Sequence, residues 1–300
     1  MTSGVLVIDK PAGPTSFDVV RRVSRLFGRE KAGHTGTLDP AATGVLPVCL
    51  GEAVKLQRFL ADGDKAYEAL VVFGAATTTE DAEGAVTEER DAAGLDAEAL
   101  RDALPGFLGL IEQVPPMYSA VRVDGRRLHE AARRGEEVER AARQVRVDAL
   151  ELLSFTPARE GRAQARLRVA CGKGTYVRTL AVDLGRSLGL PAHLGGLRRT
   201  SAGPFGISRA IPLEEAERLG RDDPAGLAAG VVPLEVALDF LPAVHLTAGQ
   251  ARDLRHGQLL PLPAVPPGYS VALDPEGRVL AVCEPSGERL KPVRVLQGTN

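Results

Sequence analysis

Gly33-His34-Thr35-Gly36-Thr37-Leu38-Asp39-Pro40-Ala41-Ala42-Thr43-Gly44 places three glycines and a proline within twelve residues. Such a stretch cannot continue a helix, and it restricts the backbone to a tight path. Asp39 precedes a proline, which biases it towards extended backbone and away from helix. The loop can therefore hold one carboxylate rigidly at the end of a strand. The same spacing also suits an Asx-turn, in which Asp39 bonds its own backbone.

The elements around this loop read as a mixture of strands and helices. Gly4 to Ile8 is apolar and β-rich, and Pro11, Gly13 and Pro14 end it. Thr15 or Ser16 can cap a helix whose Val19, Val20, Val23, Leu26 and Phe27 share one face, with Gly28 as its stop. Beyond the loop, Val45 to Leu50 reads as a strand, Glu52 to Leu60 as a helix, and Tyr67 to Phe73 as a strand. Residues 76–94 are small, acidic and expected at the surface, and Ala97 to Leu104 is a short helix. The extended run Val114 to Ala120 leads into an Arg-rich helical stretch, Arg127 to Gly135, whose weak apolar stripe predicts a protruding arm rather than a core element. Val145 to Phe155 and Ala163 to Cys171 alternate as antiparallel strands, and Tyr176 to Leu188 reads as a helix. After Pro224, Gly226, Gly230 and Pro233, short strands separated by turns predict a small β domain. There is no regular βαβ alternation, so the class is α+β. No internal repeat or heptad run occurs.

With 300 residues and 31.7 kDa, the chain suits one large domain or two ordinary ones. Hydrophobic residues at 44% and charged residues at 25% exclude a disordered, collagen-like or coiled-coil protein. No apolar run approaches the roughly 18 residues of a membrane helix. Asp9 and Lys10 end the first apolar run, so no signal peptide is expected, and a soluble cytoplasmic protein is the default. Three widely spaced cysteines without a CxxC pair argue against a disulfide framework, and the five histidines lack zinc-ligand spacing.

The net charge of −2 conceals segregation. Residues 157–210 carry ten basic and two acidic side chains, whereas residues 61–104 carry three and twelve. A local basic face suits a polyanion partner, although the two kinds of segment could also pair in the fold. Cys171-Gly172-Lys173-Gly174-Thr175-Tyr176-Val177-Arg178-Thr179 departs from a phosphate loop, because Lys173 is followed by Gly174 and the leading glycine is missing. Neither a GxSxG elbow nor a GxGxxG after a strand is present, so hydrolase and dehydrogenase readings have no local support.

Together the motifs resemble the TruB-type tRNA pseudouridine synthases. His34 to Pro40 with Ala42-Thr43-Gly44-Val45-Leu46-Pro47 is similar to their catalytic motif, and Asp9-Lys10-Pro11-Ala12-Gly13 with Ser16 to their N-terminal DKPxGxxS motif. Lys65-Ala66-Tyr67, Pro115 to Ala120 with Gly125-Arg126, Gly172 to Arg178, and Leu197-Arg198-Arg199 follow in family order. The tail, with Leu246-Thr247, His256-Gly257-Gln258 and Gly277-Arg278-Val279, is similar to a PUA-type RNA-binding domain. The resemblance implies a pseudouridine-synthase catalytic fold with a mixed, mainly antiparallel central sheet over residues 1–235. It also implies an RNA-gripping arm near 120–150 and a PUA-like domain at 240–300.

The implied activity is isomerisation of a T-loop uridine in tRNA to pseudouridine. Asp39 is the implied nucleophile, by attack at C1′, attack at C6, or a glycal route. Tyr67, placed with Asp39 and Arg178 among the implied catalytic residues, would stack on the uracil and assist at C5, Tyr176 and Leu197 would line the pocket, and Arg178 would pair with Asp39. His34 would stack on neighbouring nucleotides, Lys10 and Pro11 would support the pocket wall, and Arg199 of the Leu-Arg-Arg motif is placed with the substrate-binding residues. Arg122 stands where the family often has Lys, and His129 where many members have Tyr. No cofactor or metal is implied. The implied partner is the tRNA T-arm, with no membrane, no obligate protein partner, and a monomer. A non-catalytic tRNA-binding protein on the same scaffold and a guide-RNA-directed synthase are the rival readings.

Overall fold

The computed structural model describes residues 2–119, 122–123, 126–127, 134, 136, 138–261 and 266–297. Contacts divide the chain into two compact units. One comprises Met1–Pro40, Gly44–Gly63 and Ala202–Asn300, and the other Ala41–Thr43 and Asp64–Ser201.

The first unit opens with strand β1 (Gly4–Lys10), whose Gly-Val-Leu-Val-Ile run is buried on both faces. Helix α1 (Ser16–Leu26) follows. Thr15 caps it by accepting from the Asp18 amide (3.1 Å), and Asp18 reciprocates towards the Thr15 amide (3.2 Å). Val19, Val20 and Val23 form its buried face. Strand β2 (Ala32–His34) overlaps the start of the stretch read as loop and pairs with β3 (Thr43–Leu50), His34 opposite Val48. Strand β1 lies antiparallel to β3 along its whole length, Gly4 opposite Leu50 and Lys10 opposite Gly44. The segment expected as one helix over 52–60 is a 3₁₀ stretch, Gly51–Leu56, continued by helix α2 (Gln57–Ala61).

The second unit carries β4 (Lys65–Phe73), a hairpin of β5 (Ala75–Thr77) with β6 (Val86–Glu89), helix α3 (Ala97–Ala103) and β7 (Gly109–Gln113). After the short pair β8 (Arg122–Val123) and β9 (Arg126–Arg127) come the long strands β10 (Arg143–Arg159) and β11 (Arg162–Cys171). Alternating residues of β11 are exposed and buried: Arg162, Gln164, Arg166 and Arg168 face out, and Ala163, Ala165, Leu167 and Val169 face in. Helix α4 (Val177–Ser187) and β12 (Ala192–Ala202) complete the unit, with strand order β12-β4-β11-β10-β7. The expected helix Arg127 to Gly135, and His129 within it, fall almost wholly outside the described residues. The acidic stretch 76–94 is not uniformly exposed, because Asp81 and Glu80 are partly buried.

The chain then returns to the first unit with β13 (Phe205–Gly206), β14 (Ile211–Pro212), which runs parallel to β1, and helix α5 (Leu213–Asp222). Strands β15 (Ala243–His245), β16 (Leu260–Pro261), β17 (Ser270–Leu273), β18 (Val279–Ser286) and β19 (Arg289–Val295) form a five-stranded sheet in the order β15-β17-β18-β19-β16. One apolar cluster joins Val5, Val7, Val45 and Cys49 to Val271, Val282 and Leu296, so the C-terminal sheet and the N-terminal strands share a core. At about 25 cal/mol per Å² of apolar surface, such sharing makes the two mutually stabilising. Cys49, Cys171 and Cys283 are free and buried, and burial pushes the Cys49 thiol up to about 12. Among the described residues no helix is long and apolar enough to cross a membrane.

Candidate active site

Within the first unit the peptides on either side of Asp39 are fastened. Ser16, 2% exposed, accepts at Oγ from the Leu38 amide (2.8 Å) and donates to the Leu38 carbonyl (2.9 Å). The Pro40 carbonyl accepts from the Gly13 amide (2.9 Å) and from Lys10 Nζ (2.9 Å), which also donates to Pro11 (3.0 Å). Lys10 is fully buried. Gly13 has φ +107°, a left-handed value that disfavours any side chain. The N-terminal Asp-Lys-Pro-Ala-Gly-x-x-Ser pattern is thus a clamp on the loop: its lysine and glycine seize the residue after Asp39, and its serine the residue before. Asp39 itself is half-buried.

His34, Thr35, Gly36 and Thr37 line one wall of an open groove of about 910 Å³. Lys55, Gln57 and Arg58 line a second wall, and Arg294 of β19 also borders the groove. Three cationic side chains beside His34 suit a phosphate-rich ligand.

Removal of the Ser16 hydroxyl leaves a buried amide and a buried carbonyl without partners, each costing about 1–3 kcal/mol. Ser16→Ala is expected to lower unfolding stability by that order in urea titrations, and to reduce turnover of the folded protein.

The second unit holds the remaining residues of interest. Tyr67 on β4 is 7% exposed and Arg199 on β12 only 1% exposed. Burial pulls the Arg199 pKa below its ordinary value, and a hydrogen bond with Tyr67 opposes that fall. Arg199 is thus tied to the side chain of Tyr67. Tyr176 caps α4, with its amide donating to Gln113 Oε1 (3.0 Å) and its carbonyl accepting from Gln113 Nε2 (3.3 Å).

Arg178 lies in the first turn of α4, 6% exposed. Its Nη1 donates to the Thr79 carbonyl (3.0 Å) and its Nη2 to the Tyr118 carbonyl (2.8 Å), with Asp81 at 3.7 Å. Leu197 is half-buried on β12, and its carbonyl accepts from Thr43 Oγ1 (3.5 Å). Gln113 and Asp81 were not singled out from sequence. Gln113 carries no motif and falls between the elements read from the sequence, and Asp81 was submerged in an acidic stretch whose composition suggested solvent.

The sequence matches the model of the TruB family pseudouridylate synthase N-terminal domain over residues 24–177. The chain belongs to the TruB family. Residues 178–239 match the tRNA pseudouridylate synthase B C-terminal domain, and residues 241–297 the C-terminal model of tRNA pseudouridine synthase II. It is 46% identical over 298 residues to tRNA pseudouridine synthase B of Pseudomonas aeruginosa (strain UCBPP-PA14), covering 98% of this chain and 96% of the relative. It is 48% identical over 266 residues to tRNA pseudouridine synthase B of Geobacillus kaustophilus (strain HTA426), covering 87% and 92%.

Among solved structures it is similar to a Cbf5-Nop10-Gar1 complex, at 27% identity and TM-score 0.75, covering 98% of this chain and 85% of that one. As a family member this protein is a tRNA pseudouridine synthase, an isomerase that converts uridine in tRNA to pseudouridine. The fold expectation is met: an α+β protein with large, mostly antiparallel sheets and a C-terminal β sheet.

Proposed function

We propose that Asp39 is the catalytic carboxylate and that the target is a T-loop uridine of tRNA. The reaction breaks the C1′–N1 bond, turns the uracil, and forms C1′–C5. The C5 proton leaves and N1 gains one, so atoms balance without redox change. One fixed carboxylate suffices as the covalent or basic catalyst. The observation that carries this reading is the double clamp on Leu38 and Pro40, which fixes the peptides on either side of Asp39.

The base must leave its stack to reach the carboxylate, at a cost of a few kcal/mol that stacking on Tyr67 offsets. Tyr176 and Leu197 line the base pocket, and His34 stacks on a neighbouring nucleotide. Arg178 supplies the positive charge that keeps Asp39 ionised while substrate excludes water. Lys10 and Pro11 act through the backbone they hold. Arg199 acts through Tyr67.

The catalytic part is assigned to residues 1–235, with the insertion near 120–150 gripping RNA, and a PUA-like part to 240–300. The family-model break between 239 and 241 supports that division. In this reading the protein acts as a cytoplasmic monomer without guide RNA; its likeness to a tRNA pseudouridine synthase B over 98% of its length supports tRNA as the substrate. Incubation of purified protein with unmodified tRNA transcripts, with no added factor, followed by pseudouridine mapping, tests the reading. One pseudouridine in the T-loop is expected, and no product would overturn it.

The basic surplus in 157–210 implies phosphate contacts. Affinity for tRNA is expected to fall at least about tenfold between roughly 50 and 200 mM salt. A salt-independent dissociation constant by filter binding would contradict the basic-face assignment.

A further inference from the structure

Tyr176 is a joint between two anchored pieces of chain. Before it, the Gly172 amide donates to the Arg146 carbonyl of β10 (2.9 Å), and Thr175 Oγ1 donates to the Gly172 carbonyl (3.1 Å). After it, the first turn of α4 has anchors of its own. Arg178 holds the Thr79 and Tyr118 carbonyls, and Thr179 Oγ1 donates to Glu80 Oε2 (3.0 Å). Tyr176 itself is extended, with φ −101° and ψ 110°, and its side chain makes no capping bond to the helix. In extended backbone the N–H and C=O of one residue point to the same side, where a single partner can take both.

Gln113 is that partner. Its Oε1 accepts from the Tyr176 amide (3.0 Å) and its Nε2 donates to the Tyr176 carbonyl (3.3 Å), which also accepts the first helical bond from the Leu180 amide (3.0 Å). A carboxamide carries a donor and an acceptor in one plane, so the side chain pairs with Tyr176 as a strand residue would. Gln113 is 2% exposed and ends β7, where its main chain pairs with Arg143 of β10. The grip therefore starts from a strand and is sheltered from water. Two bonds to one residue fix the rotation of its peptides, and with it the direction of the Cα–Cβ bond. The Tyr176 side chain is half-buried, so its direction depends on this main-chain anchor as well as on packing.

We propose that Gln113 is a positioning residue for the isomerisation: its carboxamide, by holding both main-chain groups of Tyr176, aims the Tyr176 ring into the base pocket. This rests on the pocket role given above to Tyr176. Because the chain is anchored separately on either side, loss of the fork lets Tyr176 turn while the helix and the preceding turn stay in place. The consequence is a fault in the reaction of the folded protein rather than a failure to fold.

The test compares single-turnover rates at saturating tRNA, with tRNA dissociation constants, on variants shown to be folded by circular dichroism. Gln113→Met removes both bonds at nearly constant length. Its rate is expected to fall at least about tenfold, since small displacements of a positioned group are costly, with tRNA affinity within about threefold of wild type. In a Tyr176→Ala background the same change is expected to cost less than about twofold, because nothing then remains to be aimed. Gln113→Glu supplies the rescue. A protonated carboxyl reproduces the fork, donating to the Tyr176 carbonyl and accepting from its amide, whereas a carboxylate only accepts. Burial beside a carbonyl raises the pKa of such an acid, so its rate relative to wild type is expected to recover at least about threefold between pH about 8 and about 6, or to match wild type at both.

A Gln113→Met rate within about twofold of wild type, a loss that persists in full in the Tyr176→Ala background, or a Gln113→Glu rate that stays low and flat with pH would overturn the proposal. Should Gln113→Met fail to fold, the pH response of Gln113→Glu decides alone. Wild-type protein that makes no pseudouridine, or Tyr176→Ala at the wild-type rate, would instead sink the functional reading on which this rests.

Discussion

Asp39→Asn is expected to make no pseudouridine while binding tRNA with near wild-type affinity. The amide is nearly the same size and keeps the backbone, so the Ser16, Gly13 and Lys10 clamp on Leu38 and Pro40 should persist. What is lost is negative charge and nucleophilicity, which no neighbouring group in the loop supplies. Removal of a covalent nucleophile lowers turnover by about 10⁴-fold or more in enzymes whose other binding groups are intact. The measurement is pseudouridine mapping in tRNA transcripts beside a filter-binding titration. Product formed by Asp39→Asn at even a hundredth of the wild-type rate would refute the assignment. Loss of binding together with product would show instead that position 39 holds the loop together.

Arg178→Ala should remove most activity with tRNA affinity largely retained. Two effects are superimposed. The first is chemical: the proposed pairing loses the cation that would balance the Asp39 charge once substrate excludes water. A loss of about 10²–10³-fold in turnover is the order seen when one preorganised electrostatic group is deleted.

The second is structural. Arg178 is 6% exposed, and it satisfies the Thr79 and Tyr118 carbonyls while facing Asp81. Its truncation leaves a largely buried carboxylate without its cation, a change that costs about 3–5 kcal/mol. Arg178→Lys separates the two, because it keeps the charge and loses the fork that reaches both carbonyls. If Arg178→Lys folds with wild-type stability, its turnover reports on geometry alone. Activity of Arg178→Ala within a few-fold of wild type would end the pairing with Asp39.

Some elements were legible because local rules and packing agree in them. Helix α1 is one: Thr15 and Asp18 form the capping box, and the three valines fall on the buried face. Strand β11 is another, since its alternation survives as exposed arginines over buried aliphatics. Strand β12 was missed. Its Gly195-Gly196 pair and its two arginines lower strand propensity, and its formation depends on neighbours distant in sequence. Arg199 would look like a surface residue in any one-dimensional reading, and it is buried where β4 brings the Tyr67 hydroxyl to it. The Gly51 start of the 3₁₀ stretch, at φ +58°, likewise follows from how the chain leaves β3 rather than from the apolar periodicity of 52–60.

Motif chemistry belonged to the sequence: an aspartate before a proline in a glycine-rich loop, a basic block for RNA, and six ordered motifs that indicate one family. These are local or compositional properties, and they survive projection onto one dimension. The clamp of Ser16, Gly13 and Lys10 on the residues flanking Asp39, the hydrogen bond of buried Arg199 with Tyr67, and the grip of Thr179 on Glu80 and of Arg178 on Thr79 belonged to the tertiary structure. Each joins groups some 20 to 130 positions apart. The strength of a hydrogen bond or an ion pair depends on distance and burial, and neither quantity is written in residue order.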